Sequence, residues 1–214
     1  MKNNRIFKIY KRLYAYYGPQ FWWPGDTRFE IVVGAVLTQN TAWRNVEKAI
    51  RNLKAKNLLT LKKLVRLPVT KLAELIRPTG FYNLKAQRLH NLLVFLFQNY
   101  SQETDLVSMN RLPTQRLRKD LLSVKGIGEE TADSILLYAF NRPVFVVDAY
   151  TRRIFSRHHC FSYKTPYSEI QRFFVQSLPK RTKIYNEYHA LIVRLAKDHC
   201  KKVPVCNNCP IFNY

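Results

Sequence analysis

Apolar residues recur at helical spacing along nearly the whole chain, and this periodicity limits the possible folds more than any other feature of the sequence. Pro68 and Pro78 each end a short predicted helix, and Gly80 precedes a long one from about Asn83 to Gln98. Strand-like alternation is confined to the short run Val144 to Val147. The sequence therefore predicts an all-α fold.

Some of the residues that begin helices can also be recognised. Thr27 and Glu30 form a capping-box pattern around the start of the apolar stretch Phe29 to Leu37. Asn40 or Thr41 is the predicted cap of the helix that follows.

The charge of the chain indicates its partner. The 36 Lys and Arg residues exceed the 14 Asp and Glu residues and give a formal net charge of +22. Such a surplus favours a polyanion, because each phosphate that is neutralised releases counterions and adds affinity that does not depend on base sequence. We therefore expect double-stranded DNA as the partner.

A membrane location is not expected. No apolar run approaches the ~20 residues needed to cross a bilayer, and the basic residues are spread along the chain instead of forming one amphipathic anchor. The first residues, Met1 to Lys11, lack the apolar core and cleavage site of a signal peptide, which favours a cytoplasmic protein. Because 214 residues can bury a core of their own, we expect a monomer.

The most informative segment runs from Leu122 to Asp133 and contains Gly126 and Gly128 on either side of one isoleucine, with Lys125 beside them. Between two helices, such glycines permit a tight turn with positive φ and let the backbone come close to a ligand. The amides that open the second helix would face outward, where they suit a phosphate. Taken alone, the pattern also fits an ordinary interhelical turn.

A second motif follows the hairpin. The aliphatic run Pro143 to Val147 delivers Asp148 to the start of a basic helix. Taken alone, an Asp at this position is usually an N-cap and nothing more.

Together, the two motifs resemble the helix-hairpin-helix DNA glycosylase superfamily, and in particular its endonuclease III branch, whose hairpin is followed by an aliphatic run and the catalytic Asp. The segments Leu37 to Thr41 and Gly80 to Ala86 also look like family segments at the expected places. The resemblance implies a helical barrel at residues 24–142 that contains the hairpin. A second lobe is expected from residues 1–23 and 143–214, with a DNA cleft between the two.

The resemblance also implies the chemistry, which is the removal of a damaged base in base-excision repair. Cleaving an N-glycosidic bond builds positive charge on the sugar, so a fixed carboxylate such as Asp148 stabilises that state and can orient a water molecule. The base must first leave the duplex. By resemblance, Gln39 and the turn at Phe81 and Tyr82 enter the DNA at that point.

The residue type on the second hairpin helix bears on the reaction. In bifunctional enzymes of the endonuclease III kind, a Lys at this place attacks the sugar and forms a Schiff base, whereas this chain has Glu130. A carboxylate forms no imine, and Lys125 lies on the other side of the hairpin. We therefore expect a hydrolase without efficient strand cleavage.

Three tryptophans and one neighbouring proline indicate the substrate class. Trp22, Trp23 and Pro24, together with Trp43, resemble segments of the 3-methyladenine glycosylases related to endonuclease III. Aromatic faces suit an alkylated, positively charged purine, whose glycosidic bond is already weak. The alternative is that these tryptophans only pack a seam between the lobes.

The cysteines give a metal prediction with alternatives. Cys200, Cys206 and Cys209 resemble the iron-sulfur loop of endonuclease III, which holds a [4Fe-4S] cluster. The fourth ligand is missing, since it is expected about six residues after Cys209 and the chain ends before that position, while Cys160 matches no family ligand. A zinc site completed by His199 and a loop without metal are the other possibilities.

Two alternative functions remain. A bifunctional endonuclease III for oxidised pyrimidines is disfavoured by Glu130. A non-catalytic helix-hairpin-helix DNA-binding module would explain the charge, but it leaves the placement of Asp148 and the tryptophans unaccounted for.

Overall fold

The computed structural model describes residues 4–23, 25–100 and 106–214. Regular structure in these ranges is helical and contains no strand, which confirms the predicted all-α class. The helices are α1 (Asn4–Tyr17), α2 (Arg28–Leu37), α3 (Trp43–Ala55), α4 (Leu61–Arg66), α5 (Val69–Leu75), α6 (Tyr82–Tyr100), α7 (Val107–Arg111), α8 (Thr114–Leu122), α9 (Glu129–Ser134), α10 (Ala149–Arg157), α11 (Tyr167–Ser177) and α12 (Thr182–Asp198). A 3₁₀ turn (Arg77–Thr79) precedes α6, and a π-helical segment (Ile135–Ala139) continues α9.

The chain forms two compact units. One comprises Met1–Trp23 and Asn141–Tyr214, and the other comprises Pro24–Phe140. None of the helices in the described ranges has the length and apolar character needed to span a membrane.

The unit at residues 24–140 is built around α2. Eight of the 10 residues of this helix are buried, namely Phe29, Glu30 and Val32 to Leu37, and α2 packs against α3, α6 and the π-helical segment. A helix that is apolar on nearly all sides belongs in a core. Because α2 is central, the turn that leaves its C-terminus is held on a rigid base.

The starts of α2 and α3 differ in how well the sequence predicted them. Thr27 Oγ1 accepts a hydrogen bond from Glu30 N at 3.1 Å, as the capping pattern predicts. The predicted cap of α3 is wrong, because the N-cap is Ala42, which makes no side-chain bond. Asn40 instead adopts a left-handed conformation (φ 52°), and this places it inside the turn after α2.

The unit formed by both chain ends has an aromatic core. Phe145 stacks on Phe174 with a centroid distance of 4.2 Å, and Phe155 and Tyr188 meet Phe174 edge to face. The hydroxyl of Tyr188 donates to the carbonyl of Ile6 at 3.0 Å, which ties α12 to α1. This core buries the extended run that leads to α10.

Candidate active site

Asp148 is the N-cap of α10. Phe145, Val146 and Val147 before it are buried, so the chain enters the helix from a fixed direction. The Oδ1 atom of Asp148 accepts a hydrogen bond from Thr151 N at 2.6 Å. The side chain of Asp148 is 11% exposed, so it is shielded from bulk water while one edge stays accessible.

His189 of α12 faces the second oxygen of this carboxylate. Its Nε2 atom lies 3.4 Å from Asp148 Oδ2, an ion pair when the imidazole is protonated. Burial alone raises the pKa of Asp148. The charge of His189 and the hydrogen bonds from His189 and Thr151 outweigh that effect, so the pKa of Asp148 lies below its ordinary value. Asp148 is therefore ionised at neutral pH.

The hairpin between α8 and α9 has the predicted positive φ at Gly126 but not at Gly128, where φ is −92°. Gly126 adopts φ +98°, and a Cβ atom at this position would lie 2.5 Å from Arg88 Cγ. Both facts require glycine, since an L side chain would be strained and would collide with Arg88. Gly128 is the N-cap of α9, with open space where a Cβ would lie. The carbonyl of the exposed Lys125 accepts a hydrogen bond from Asn91 Nδ2 at 3.0 Å.

An ion pair fixes the two helices of the hairpin to each other. Arg118 Nε donates to Asp133 Oδ1 at 2.7 Å, and Asp133 is fully buried. The same guanidinium lies 3.3 Å from Glu129 Oε1 in the first turn of α9. Arg118 thereby offsets one of the two acidic side chains near the amides that would meet a phosphate.

Gln39 lies in the turn after α2, where both ends of its amide are bonded. Its Nε2 atom donates to Thr131 Oγ1 of α9 at 2.9 Å, and its Oε1 atom accepts a hydrogen bond from Arg88 Nη1. The structure thus brings the predicted DNA-contacting Gln39 and the hairpin together within one unit.

The turn before α6 presents Phe81 to solvent. Phe81 is 72% exposed and has φ +45°, while Tyr82 is half-buried with the Arg77 guanidinium 5.9 Å from its ring centroid. The exposed ring is therefore accessible to a ligand.

Lys85 ties this turn to the end of α2. The side chain is buried, and Nζ donates to Leu37 O at 2.9 Å and to Thr79 O at 2.8 Å. Burial, and secondly the nearby charge of Arg88, lower the pKa of Lys85 to about 8.

The predicted aromatic residues fall in both units. Trp22 and Trp23 are half-buried and meet edge to face with centroids 5.8 Å apart. Lys197 Nζ of α12 lies 6.0 Å from the Trp22 ring centroid. Pro24, the fourth predicted residue, lies outside the described residues.

Trp43 opens α3 in the other unit and lines a cavity of about 230 Å³. Its Nε1 atom donates to Glu47 Oε1 at 2.9 Å. The carboxylates of Asp26 and Glu30 also line the cavity and are paired with Lys54 Nζ at 2.7 and 2.8 Å. The Trp43 side chain and these carboxylates therefore border the same space, together with the basic side chains of Arg51 and Lys54.

Glu130 lies on the exposed side of α9, where its carbonyl accepts a hydrogen bond from Ser134 Oγ at 2.7 Å. Its role at the place where bifunctional enzymes have the reactive Lys stays a prediction.

The cysteines do not form a ligand group in this arrangement. Cys200 is buried and its Sγ atom accepts a hydrogen bond from Arg157 Nη1 at 3.2 Å, whereas Cys206 is exposed. Among the described residues, no three His, Cys, Asp or Glu side chains are placed to hold a metal ion. The three cysteines as placed do not fit a [4Fe-4S] cluster, and His199 does not complete a zinc site with them. The [4Fe-4S] cluster, the zinc site and the loop without metal all stay predictions.

Comparison with known proteins identifies the family. The model of the HhH-GPD superfamily of base excision DNA repair proteins matches residues 33–180, which is more than half of the chain. The chain belongs to the HhH-GPD superfamily. This confirms the resemblance drawn from the hairpin and Asp148, and the protein is a base-excision repair DNA glycosylase.

Individual HhH-GPD relatives are similar over nearly their full length. MJ1434 of Methanocaldococcus jannaschii, which is named as a DNA repair glycosylase, is 54% identical over 99% of this chain and 97% of that protein. The structure of an H. pylori 3-methyladenine DNA glycosylase bound to 1,N6-ethenoadenine is 33% identical, with a TM-score of 0.76 over 89% of this chain and 96% of its own. An endonuclease III–DNA complex shares the fold, with a TM-score of 0.83 at 21% identity over 100% of this chain and 94% of that one.

Three residues that bond to or face the predicted site residues within each unit escaped the sequence reasoning, namely Arg88, Thr131 and His189. Arg88 had a detectable signal, because it lies three positions from Lys85 and three from Asn91 on the polar side of a predicted helix. His189 had none, since its contact with Asp148 depends on how α12 packs against α10.

Proposed function

We propose that this HhH-GPD protein is a monofunctional N-glycosylase that hydrolytically removes an alkylated purine, such as 3-methyladenine, from double-stranded DNA. The observation that carries the proposal is the ionised, nearly buried carboxylate of Asp148, which Thr151 holds at the start of α10.

The reaction needs little acid catalysis. When the bond between C1′ and a positively charged base breaks, its electron pair moves onto the base, which leaves as a neutral molecule. Positive charge remains on the sugar, where the carboxylate of Asp148 stabilises it. A water oxygen then bonds to C1′ and loses its proton to solvent. Since the pKa of Asp148 is lowered, its main contribution is electrostatic, and general-base catalysis is secondary.

Aromatic and acidic groups support an alkylated purine as the substrate. The Trp22 and Trp23 rings offer faces on which a flat base can stack, and a cationic base gains further attraction from them. Trp43 and Glu47 border a cavity and offer a further aromatic ring and a carboxylate to a cationic base, whereas Asp26 and Glu30 there are already paired with Lys54. The 33% identity to the H. pylori 3-methyladenine DNA glycosylase supports the same substrate class.

The proposed DNA contacts are made by the unit at residues 24–140. In this proposal, the backbone at Lys125, Gly126 and Gly128 binds a phosphate without reading a base. Gln39 and the exposed Phe81 fill the space that the flipped base leaves. The net charge of +22 supplies affinity for the duplex that falls with salt.

Hydrolysis without strand cleavage is proposed from Glu130. A carboxylate on α9 offers no nitrogen nucleophile, so water completes the displacement and leaves an intact strand with an abasic sugar. No step of this mechanism uses a metal.

Duplexes with different lesions test the proposal. Purified protein is offered 3-methyladenine, an oxidised pyrimidine, uracil and mismatched adenine, and base release and strand nicking are scored separately. We expect release of 3-methyladenine without nicking. Preferential release of the oxidised pyrimidine with nicking would replace this proposal with the bifunctional reaction, and binding without release of any base would replace it with a non-catalytic module.

A further inference from the structure

One face of α6 holds together the loops that are proposed to meet DNA. Three of its residues, spaced three positions apart, bond to the end of α2, to the turn that follows it and to the hairpin. Lys85 binds the carbonyl at the end of α2, Arg88 binds the side chain of Gln39, and Asn91 binds the carbonyl of Lys125 in the hairpin.

Arg88 makes two contacts at once. Its aliphatic stem lies so close to Gly126 that a Cβ atom there would be 2.5 Å from Cγ and 3.3 Å from Cδ. Its guanidinium donates to Gln39 Oε1, while Gln39 Nε2 donates to Thr131 Oγ1 on the second hairpin helix. A guanidinium can only donate, so this arrangement fixes which end of the amide is oxygen and which is nitrogen.

We propose that Arg88 is a positioning residue that couples the hairpin to Gln39, so that Gln39 enters the duplex at one depth and in one orientation when the protein opens a base pair. The inference rests on the proposed function, in which Gln39 fills the space of the flipped base.

The physical reason is that two separate loops must meet the DNA in register. The phosphate bound at the hairpin sets the position of the protein along the duplex axis. At that position, an unrestrained glutamine side chain would sample many rotamers. Because the stem of Arg88 packs against Gly126 and its head binds Gln39, a displacement of one loop is transmitted to the other. Catalysis is sensitive to such errors of about 1 Å.

The test replaces Arg88 with methionine, which keeps a long stem and removes the guanidinium. Base opening is followed by the fluorescence of 2-aminopurine placed next to the target base in a fully paired duplex, which reports unstacking without any bond cleavage. Base release from 3-methyladenine duplexes gives kcat and KM. Arg66→Met is the matched control, because Arg66 is an exposed arginine of the same unit and the substitution removes the same charge. If Arg88→Met lowers Tm, Arg88→Lys is tested in its place, because it removes the guanidinium but keeps the positive charge and a long stem.

We expect Arg88→Met to lower the fluorescence response and kcat by about tenfold, with KM changed less than about twofold. Gln39→Ala should have the same effect. The double variant should lose no more kcat than either single variant, since each substitution disrupts the same contact between Arg88 and Gln39. Arg66→Met should match the parent in kcat.

Three results would overturn the inference while leaving the proposed function intact. The first is strictly additive loss in the Arg88→Met, Gln39→Ala double variant. The second is a uniform loss of affinity for all duplexes with the salt slope reduced by about one, because that marks an ordinary phosphate contact. The third is parental kinetics in Arg88→Met. Absence of both fluorescence change and base release with the parent protein would overturn the proposed function and this inference with it.

Discussion

Replacing Asp148 with asparagine should abolish most base release while sparing the fold. The substitution removes the negative charge and keeps the shape and the N-cap, since asparagine caps helices about as well as aspartate. A carboxylate about 4 Å from the charge that develops on the sugar contributes about 4 kcal/mol at an effective dielectric constant of about 20. At 1.36 kcal/mol per decade, we expect kcat to fall roughly a thousandfold.

The measurement is single-turnover base release from a 3-methyladenine duplex, with duplex affinity and Tm measured on the same preparations. Asp148→Asn should bind DNA as the parent does and keep Tm within a few degrees. Asp148→Ala, which also loses the bond to Thr151 N, should be about 1 kcal/mol less stable. Glu74→Gln removes a charge from an exposed pair with Lys71 and serves as the control. A rate for Asp148→Asn within about tenfold of the parent rate would show that Asp148 is only a helix cap.

Three further outcomes are expected. Gly126→Val should weaken binding to all duplexes alike by roughly tenfold in fluorescence anisotropy, because the position needs φ +98° and has Arg88 in contact; a changed lesion preference at unchanged affinity would contradict this. The pKa of Lys85 is lowered from 10.5 to about 8, so between these values the unfolded chain binds more protons and stability should rise with pH, by up to about 3 kcal/mol. Lys85→Met should remove that rise in denaturant titrations, and equal slopes in both proteins would refute it. Borohydride should trap no covalent DNA complex with the parent, while Glu130→Lys gains a trace; efficient trapping by the parent would restore the bifunctional reaction, with Lys125 as the next candidate nucleophile.

The sequence predicted best those features that depend on neighbouring residues. Helical periodicity predicted the all-α class, and the last three residues of the run before Asp148, Phe145 to Val147, are buried as expected, while Pro143 and Val144 are only partly buried. Gly126 takes the positive φ that its place between two helices implies. These features need only local backbone preferences and the burial of apolar side chains.

Contacts between distant segments were beyond sequence reasoning. Gln39 and Arg88 are 49 positions apart, and nothing local to either residue indicates that the two side chains meet. The cap of α3 was misassigned for a related reason. Asn40 has the chemistry of an N-cap, but the turn after α2 uses it at positive φ. The helix therefore begins at Trp43, one residue later than a cap at Thr41 would place its start.

The interpretations of Asp148 as a helix cap and as a catalytic residue are compatible, because each oxygen of the carboxylate has its own partner. Oδ1 is bound by Thr151 N, and Oδ2 faces His189. The bond at Oδ1 fixes the orientation of the carboxylate and favours its charged form, which is what stabilisation of a cationic sugar requires. A carboxylate has about four lone-pair positions, so one cap bond and one imidazole leave acceptor capacity free. The same local geometry that begins α10 therefore supplies an oriented negative charge before any substrate binds.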